Sequence, residues 1–234
     1  MEQVNYILLE KMAKIYSLGM DGLNGSGKGT QIELFSKYLD SISEPHLIAR
    51  GDGVRFGNGI KIYDSPSKWW SENIDWLLDK TDNPQDKLNL QYQRLSREAE
   101  ALRRKLERDF NGGVILFDRS FPSRVLTMRQ YNPGISIEDS LQSRNPRNGI
   151  CVKPIIPDLT VVLDVPQEIL LDRLPRENTL GNIARRRILL SNYGFYAKLV
   201  EELKPRTDVL ILDGTQTKED INEQIVEAYS NARK

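Results

Sequence analysis

Short apolar runs alternate along this chain with longer stretches whose apolar residues recur every three or four positions. Five runs read as strands: Ile15 to Met20, His46 to Arg50, Val114 to Asp118, Leu159 to Asp164, and Val209 to Leu212. Strands separated by helical patterns predict βαβ units and a mostly parallel sheet. The clearest helix is predicted from Gln85 to Phe110. There Leu88, Tyr92, Leu95, Ala99, Leu102, Leu106 and Phe110 form one buried stripe, and Asn111-Gly112-Gly113 ends it. Further helices are expected from Gly27, near Ser123, from Pro166, near Gly181 and from Lys218. The segment from Tyr131 to Pro157 holds four prolines and reads as a loop or irregular insert. No repeat or glycine-serine linker divides the chain, so one domain over residues 1–234 is the expectation.

Composition narrows the chemistry. The 234 residues carry 33 Lys plus Arg against 33 Asp plus Glu, so no overall field points to nucleic acid or a membrane as partner. Anion binding must then come from local clusters. A single cysteine, Cys151, leaves no intrachain disulfide and no CxxC pattern. The single histidine, His46, excludes a multi-histidine metal site and reads as structural. Residues Met1 to Lys14 carry Glu2, Glu10 and Lys11, which fits neither a secretory leader nor a membrane span, and no later window is apolar over 18 residues. A cytoplasmic setting is expected.

The chemistry concentrates in Gly22-Leu23-Asn24-Gly25-Ser26-Gly27-Lys28-Gly29-Thr30. A P-loop has Gly, four residues, Gly-Lys and then Ser or Thr. Gly22, Gly27 and Lys28 match; Gly29 occupies the hydroxyl position, and Thr30 brings the hydroxyl one residue later. Glycines at 25 and 27 let successive N–H groups turn inward, and the helix that follows adds its positive end. Lys28 supplies a cation for the β- and γ-phosphates. The apolar run before the loop and the helical pattern after it are the context this motif requires.

The chain resembles the nucleoside monophosphate kinases, and within them the thymidylate kinase family. Asp21 to Lys28 resembles that family's phosphate loop, and Val114-Ile115-Leu116-Phe117-Asp118-Arg119 its strand ending in Asp-Arg. Pro157 to Pro166 is similar to the strand before the family's lid, and Asp213-Gly214-Thr215 to its last strand end. The resemblance implies a three-layer α/β P-loop NTPase fold with a mostly parallel five-stranded sheet, helices on both faces and a small lid at about residues 174–187. It implies ATP and Mg²⁺, small-molecule nucleotide substrates and a homodimer. Asn24, Gly25, Ser26, Gly27, Lys28, Gly29, Thr30 and Arg185 would hold the donor. Thr30 and Asp118 would serve the metal. Arg50, Gln93, Arg97 and Arg119 would hold the acceptor, and Lys28, Asp118, Arg119, Arg173 and Arg176 would carry the transfer. Arginine suits this work because its planar fork pairs two phosphate oxygens at once.

Three features depart from the family pattern. Gln93, beside Tyr92, stands where the family has an aromatic that stacks on thymine. Ser120-Phe121-Pro122-Ser123 follows Asp118-Arg119 where the family continues differently. Trp69, Trp70 and Trp76 cluster in a segment the family pattern does not foresee. These features lean toward deoxynucleoside kinases, whose Glu-Arg-Ser motif Asp118-Arg119-Ser120 resembles. Transfer from ATP to a (deoxy)nucleoside monophosphate, with dTMP to dTDP foremost, is the reading. Phosphorylation of a deoxynucleoside, or ATP binding without turnover, are its alternatives.

Overall fold

The computed structural model describes residues 15–50, 53–56, 61–62, 99–129, 156–174 and 180–233. The strands are β1 (Ile15–Asp21), β2 (His46–Arg50), β3 (Gly53–Phe56), β4 (Lys61–Ile62), β5 (Gly113–Asp118), β6 (Leu159–Asp164) and β7 (Asp208–Asp213). The helices are α1 (Lys28–Ser41), α2 (residues 99–110), α3 (Phe121–Arg129), α4 (Gln167–Arg173), α5 (Leu180–Leu203) and α6 (Lys218–Ala232).

One sheet runs in the order β4-β3-β2-β5-β1-β6-β7. Its five long strands, β2, β5, β1, β6 and β7, are all parallel. They are the five strands the sequence predicts. Two short strands, β3 and β4, extend the sheet antiparallel beyond β2. The pattern does not reveal them because each spans two to four residues and Arg55 and Lys61 interrupt the apolar positions.

Strand periodicity divides the core between two faces. Tyr16, Leu18 and Met20 of β1, with Val114, Leu116, Val161 and Leu163, pack under α1 and α6. Helix α1 answers with Ile32, Phe35 and Leu39, and α6 with Ile221, Ile225 and Tyr229, both at helical spacing. Phe35 meets Tyr229 edge-on at 5.3 Å between ring centres. On the opposite face, Leu47, Ala49, Ile115 and Phe117 pack against Ala99, Leu102 and Leu106 of α2. Leu126 of α3 joins Val162 and the α5 residues Tyr196 and Val200 on that side. The result is three layers, helix on sheet on helix.

The helical stripe expected through Phe110 holds for Ala99, Leu102 and Leu106 but not for Phe110 itself. That ring is 48% exposed at the helix end, where Asn111 takes a left-handed turn (φ 59°) and carries the chain off to β5. Residues 85–98 of the expected helix lie outside the described residues, as do most of the proline-rich segment, Cys151 and the three tryptophans. His46 is buried at the start of β2. Its Nδ1 lies 3.1 Å from the Glu44 carbonyl, which can only accept, so Nδ1 carries the proton and Nε2 accepts from the Ser36 hydroxyl at 2.6 Å. The histidine therefore ties α1 to β2, as a structural reading expects.

Candidate functional site

The central strand β1 ends at Asp21 and the chain turns at once into the glycine loop. Gly22 (φ 140°), Gly25 (φ 88°) and Gly27 (φ 98°) all take positive φ, which side chains oppose. Space matters as much at Gly22: a Cβ there would stand 2.6 Å from Ser26 Oγ and 2.9 Å from the Leu163 carbonyl. Gly27 is the N-cap of α1 and has no side chain to cap the helix, and the first turn carries no acidic residue. The N–H groups of that turn thus stand without a side-chain cap at the positive end of a 14-residue helix, which favours an anion.

Lys28 folds back over this loop. Its Nζ donates to the Gly22 and Leu23 carbonyls, each at 2.8 Å, and approaches Ser26 Oγ at 3.4 Å. The residue is only 6% exposed. Burial, helped by the Arg119 charge, pulls the ammonium down from 10.5 to about 8, while Asp21 and Asp118 oppose that shift.

The strands beside β1 bring the remaining groups to the same edge. Register sets Met20 beside Asp118, and Asp118 beside Arg50, at the carboxyl ends of three parallel strands. Such ends are where parallel α/β sheets bind ligands. Arg119 follows in a left-handed conformation (φ 75°), rare for a residue with a long side chain. Its exposed guanidinium donates to Asn24 Oδ1 at 2.7 Å, so the strand-end arginine reaches the glycine loop. An amide, unlike a carboxylate, brings no negative charge to offset that of the arginine.

On the other side, β6 and β7 end together at Asp164 and Asp213. Asp213 accepts from the N–H and hydroxyl of Thr215, and these bonds pull its carboxyl below the usual range. The Gly214 N–H donates to the Asp164 carbonyl at 2.7 Å. Arg173, at the end of α4, spans the gap: its guanidinium donates to the Gly25 carbonyl at 3.2 Å and the Gly214 carbonyl at 3.3 Å. Arg173 therefore clasps the glycine loop to the turn after the last strand.

Of the expected site residues, Asn24 to Thr30, Asp118, Arg119 and Arg173 converge on one edge of the sheet. Arg50 and Arg185 are described in backbone only, at the end of β2 and in the first turns of α5. Gln93, Arg97 and Arg176 lie outside the described residues. Residues 180–187 of the expected lid form the start of α5. Asp21 is the residue that motif reading passed over. It is fully buried, and its carboxylate accepts from the N–H and hydroxyl groups of both Ser120 and Ser123. The signal was its position, since an acid closing an apolar strand must find partners inside the fold.

The donor chemistry suits magnesium. Thr30 and Asp118 offer hard oxygens, and among the described residues no three His, Cys, Asp or Glu side chains gather into a cage. Magnesium keeps several waters and is held by one or two protein oxygens together with phosphate, which is what this edge can provide. Among the described residues no helix is long and apolar enough to cross a membrane.

A parallel sheet in which two neighbouring strand ends flank a glycine loop that opens a helix defines an α/β protein of the P-loop NTPase class. No family model matches the chain. Curated relatives do. It is 27% identical over 222 residues to the thymidylate kinase of Kosmotoga olearia, covering 91% of this chain and 94% of that one. It is 28% identical over 169 residues to the thymidylate kinase of Carboxydothermus hydrogenoformans, 71% and 73% of the two chains. A probable thymidylate kinase of Methanospirillum hungatei is 26% identical over 207 residues, 86% of this chain and 87% of its own. Over most of its length the chain is thus similar to proteins named thymidylate kinase.

Proposed function

We propose that this protein transfers the γ-phosphoryl group of ATP to a deoxynucleoside monophosphate, with dTMP as the acceptor and dTDP and ADP as products. The observation that carries this reading is the reach of Arg119 from the Asp118 strand end to Asn24 in the glycine loop. One cation thereby stands at the seam where donor and acceptor phosphates would meet. Similarity over most of the chain to proteins named thymidylate kinase supports the choice of acceptor.

In this reading an oxygen of the acceptor's 5′-phosphate attacks the γ-phosphorus, and the bond to the β,γ-bridging oxygen breaks. Negative charge spreads over the transferring group, so catalysis is positioning and electrostatic stabilisation without a covalent nucleophile. The N–H groups from Asn24 to Thr30 cradle the donor phosphates. Lys28 leaves the Gly22 and Leu23 carbonyls for the phosphate oxygens. Thr30 and Asp118 would hold magnesium, which would offset phosphate charge when bound. Arg119 bridges toward the acceptor phosphate, with Arg50, Gln93 and Arg97 completing the acceptor site. Arg173 secures the loop, and Arg176 and Arg185 close from a lid at about residues 174–187 of one domain spanning 1–234.

The test is ADP release with Mg·ATP across dTMP, dUMP, UMP, CMP, AMP and GMP, run beside the free nucleosides. Turnover led by dTMP supports the reading. Turnover with free deoxynucleosides and with no monophosphate would replace it with nucleoside phosphorylation, and silence with every acceptor in the presence of ATP binding would remove catalysis from the account.

A further inference from the structure

Beneath the strand ends lies a buried polar cluster of Asp21, Ser120 and Ser123. Asp21 is 0% exposed, yet it carries a full complement of acceptor bonds. Oδ2 takes the Ser120 N–H at 3.1 Å together with the Ser120 hydroxyl. Oδ1 takes the Ser123 N–H at 3.2 Å together with the Ser123 hydroxyl. Ser120 precedes α3 and Ser123 is its third residue, while Pro122 has no N–H to offer. A carboxylate on β1 therefore caps a helix nearly one hundred residues later in the chain, satisfying donors that a helix start leaves open.

This cap fixes what comes just before the helix. The Arg119 N–H continues the sheet by donating to the Met20 carbonyl at 3.2 Å. The very next N–H, that of Ser120, points to Asp21. Two successive N–H groups can turn to these two acceptors because Arg119 lies in the left-handed region, which side chains resist. Gly19 makes room for the arrangement: a Cβ there would stand 2.7 Å from Ser120 Oγ. The same left-handed residue sends its guanidinium to Asn24. If the carboxylate is removed, the peptide between Arg119 and Ser120 is free to rotate to an ordinary extended form, which swings the arginine off the loop.

We propose that Asp21 is a positioning residue for phosphoryl transfer, a buried carboxylate that holds Arg119 in its strained conformation and so keeps the guanidinium on the phosphate loop. The proposal rests on the transfer reading above. It assigns Asp21 no contact with substrate; its effect passes through Arg119.

A double-mutant cycle tests it. Asp21→Asn should lower kcat about 10- to 100-fold in the otherwise native chain, with ATP KM changed less than about threefold, but cost under about threefold in an Arg119→Ala background. Equal losses in both backgrounds would overturn the proposal, because a general structural defect does not depend on Arg119. Should Asp21→Asn fail to fold, Ser123→Ala removes a single hydroxyl bond and should give a smaller loss with the same dependence on Arg119; an unchanged kcat would count against the idea. Arginine side-chain ¹⁵N NMR separates this claim from the transfer reading. The Arg119 guanidinium, assigned by its disappearance in Arg119→Lys, should rotate slowly in the native chain and freely in the Asp21 or Ser123 variant. Unchanged rotation would overturn the proposal whether or not the protein turns over nucleotides.

Discussion

Binding a triphosphate at the glycine loop should draw a proton from solvent, in an amount that depends steeply on pH. Without ligand, Lys28 is buried against the Gly22 and Leu23 carbonyls and its ammonium is pulled down to about 8. Phosphate oxygens within reach would restore the charged form and lift the group back toward its ordinary range. At pH 9 the free lysine is about one-tenth protonated, so binding should take up about 0.9 proton; at pH 7 it is about nine-tenths protonated, and the uptake should be about 0.1. The terminal phosphate, with a second pKa of about 6, is already ionised at pH 9 and adds nothing there. Titration calorimetry in pairs of buffers with different ionisation heats measures this number directly. Lys28→Met should abolish whatever linkage remains detectable. The same lysine predicts the unliganded stability profile. Its folded value lies below its unfolded one, so between about 8 and 10.5 the unfolded chain binds more protons and stability rises with pH. Taking about 1.4 kcal/mol per unit, the burial costs about 3 kcal/mol below pH 8 and that cost fades above it. Tyr16 and Tyr229, pushed up to about 12 by burial first, and Tyr193 and Tyr196, also raised by burial, ionise at about 10 in the unfolded chain and oppose the lysine there, so the informative window is pH 7.5 to 9. Proton uptake at pH 9 no larger than at pH 7, or a denaturation midpoint flat across that window, would refute the reasoning.

Three further outcomes follow from single positions. Gly22→Ala sets a methyl 2.6 Å from Ser26 Oγ at φ 140°, and should cost about 2 kcal/mol or more in chemical denaturation and abolish ATP binding in calorimetry. Gly29→Ser adds a Cβ with nothing within 4 Å of it; it should leave stability unchanged or raise it by up to about 1 kcal/mol in denaturant unfolding, and should lower the Mg²⁺ concentration that half-saturates ATP binding a few-fold. Phe35→Ala empties a fully buried site between α1 and α6 and should cost about 3–5 kcal/mol in denaturant unfolding, with kcat of the folded fraction preserved.

The parallel core was legible because its strands are long, apolar on both faces and separated by helical periodicity. Val114 to Asp118 and Leu159 to Asp164 could hardly be anything but central strands. The glycine loop was legible because its backbone requirements restrict the residues at Gly22, Gly25 and Gly27. The antiparallel β3 and β4 were not, since strands this short carry no periodicity to read. Two features of the site also escaped motif reading. Asp21 gains its meaning from Ser120 and Ser123, about a hundred residues away, and only the β1–β5 pairing brings them together. The resemblance implies Arg173 as a residue of the transfer but not its partners: its bonds to the Gly25 and Gly214 carbonyls arise from where α4 ends relative to two loops. Local pattern reports what a residue can do; its partners come from topology.

The path of a labelled phosphorus atom tests most directly whether this sheet edge joins two phosphates. With ATP labelled at its γ position, Mg²⁺, dTMP and the full-length protein, the label should appear at the β-phosphate of dTDP in step with ADP, and Lys28→Met should stop it. Label that stays in ATP, or emerges only as inorganic phosphate while nucleotide is demonstrably bound, would contradict the claim that this sheet edge joins a donor and an acceptor phosphate.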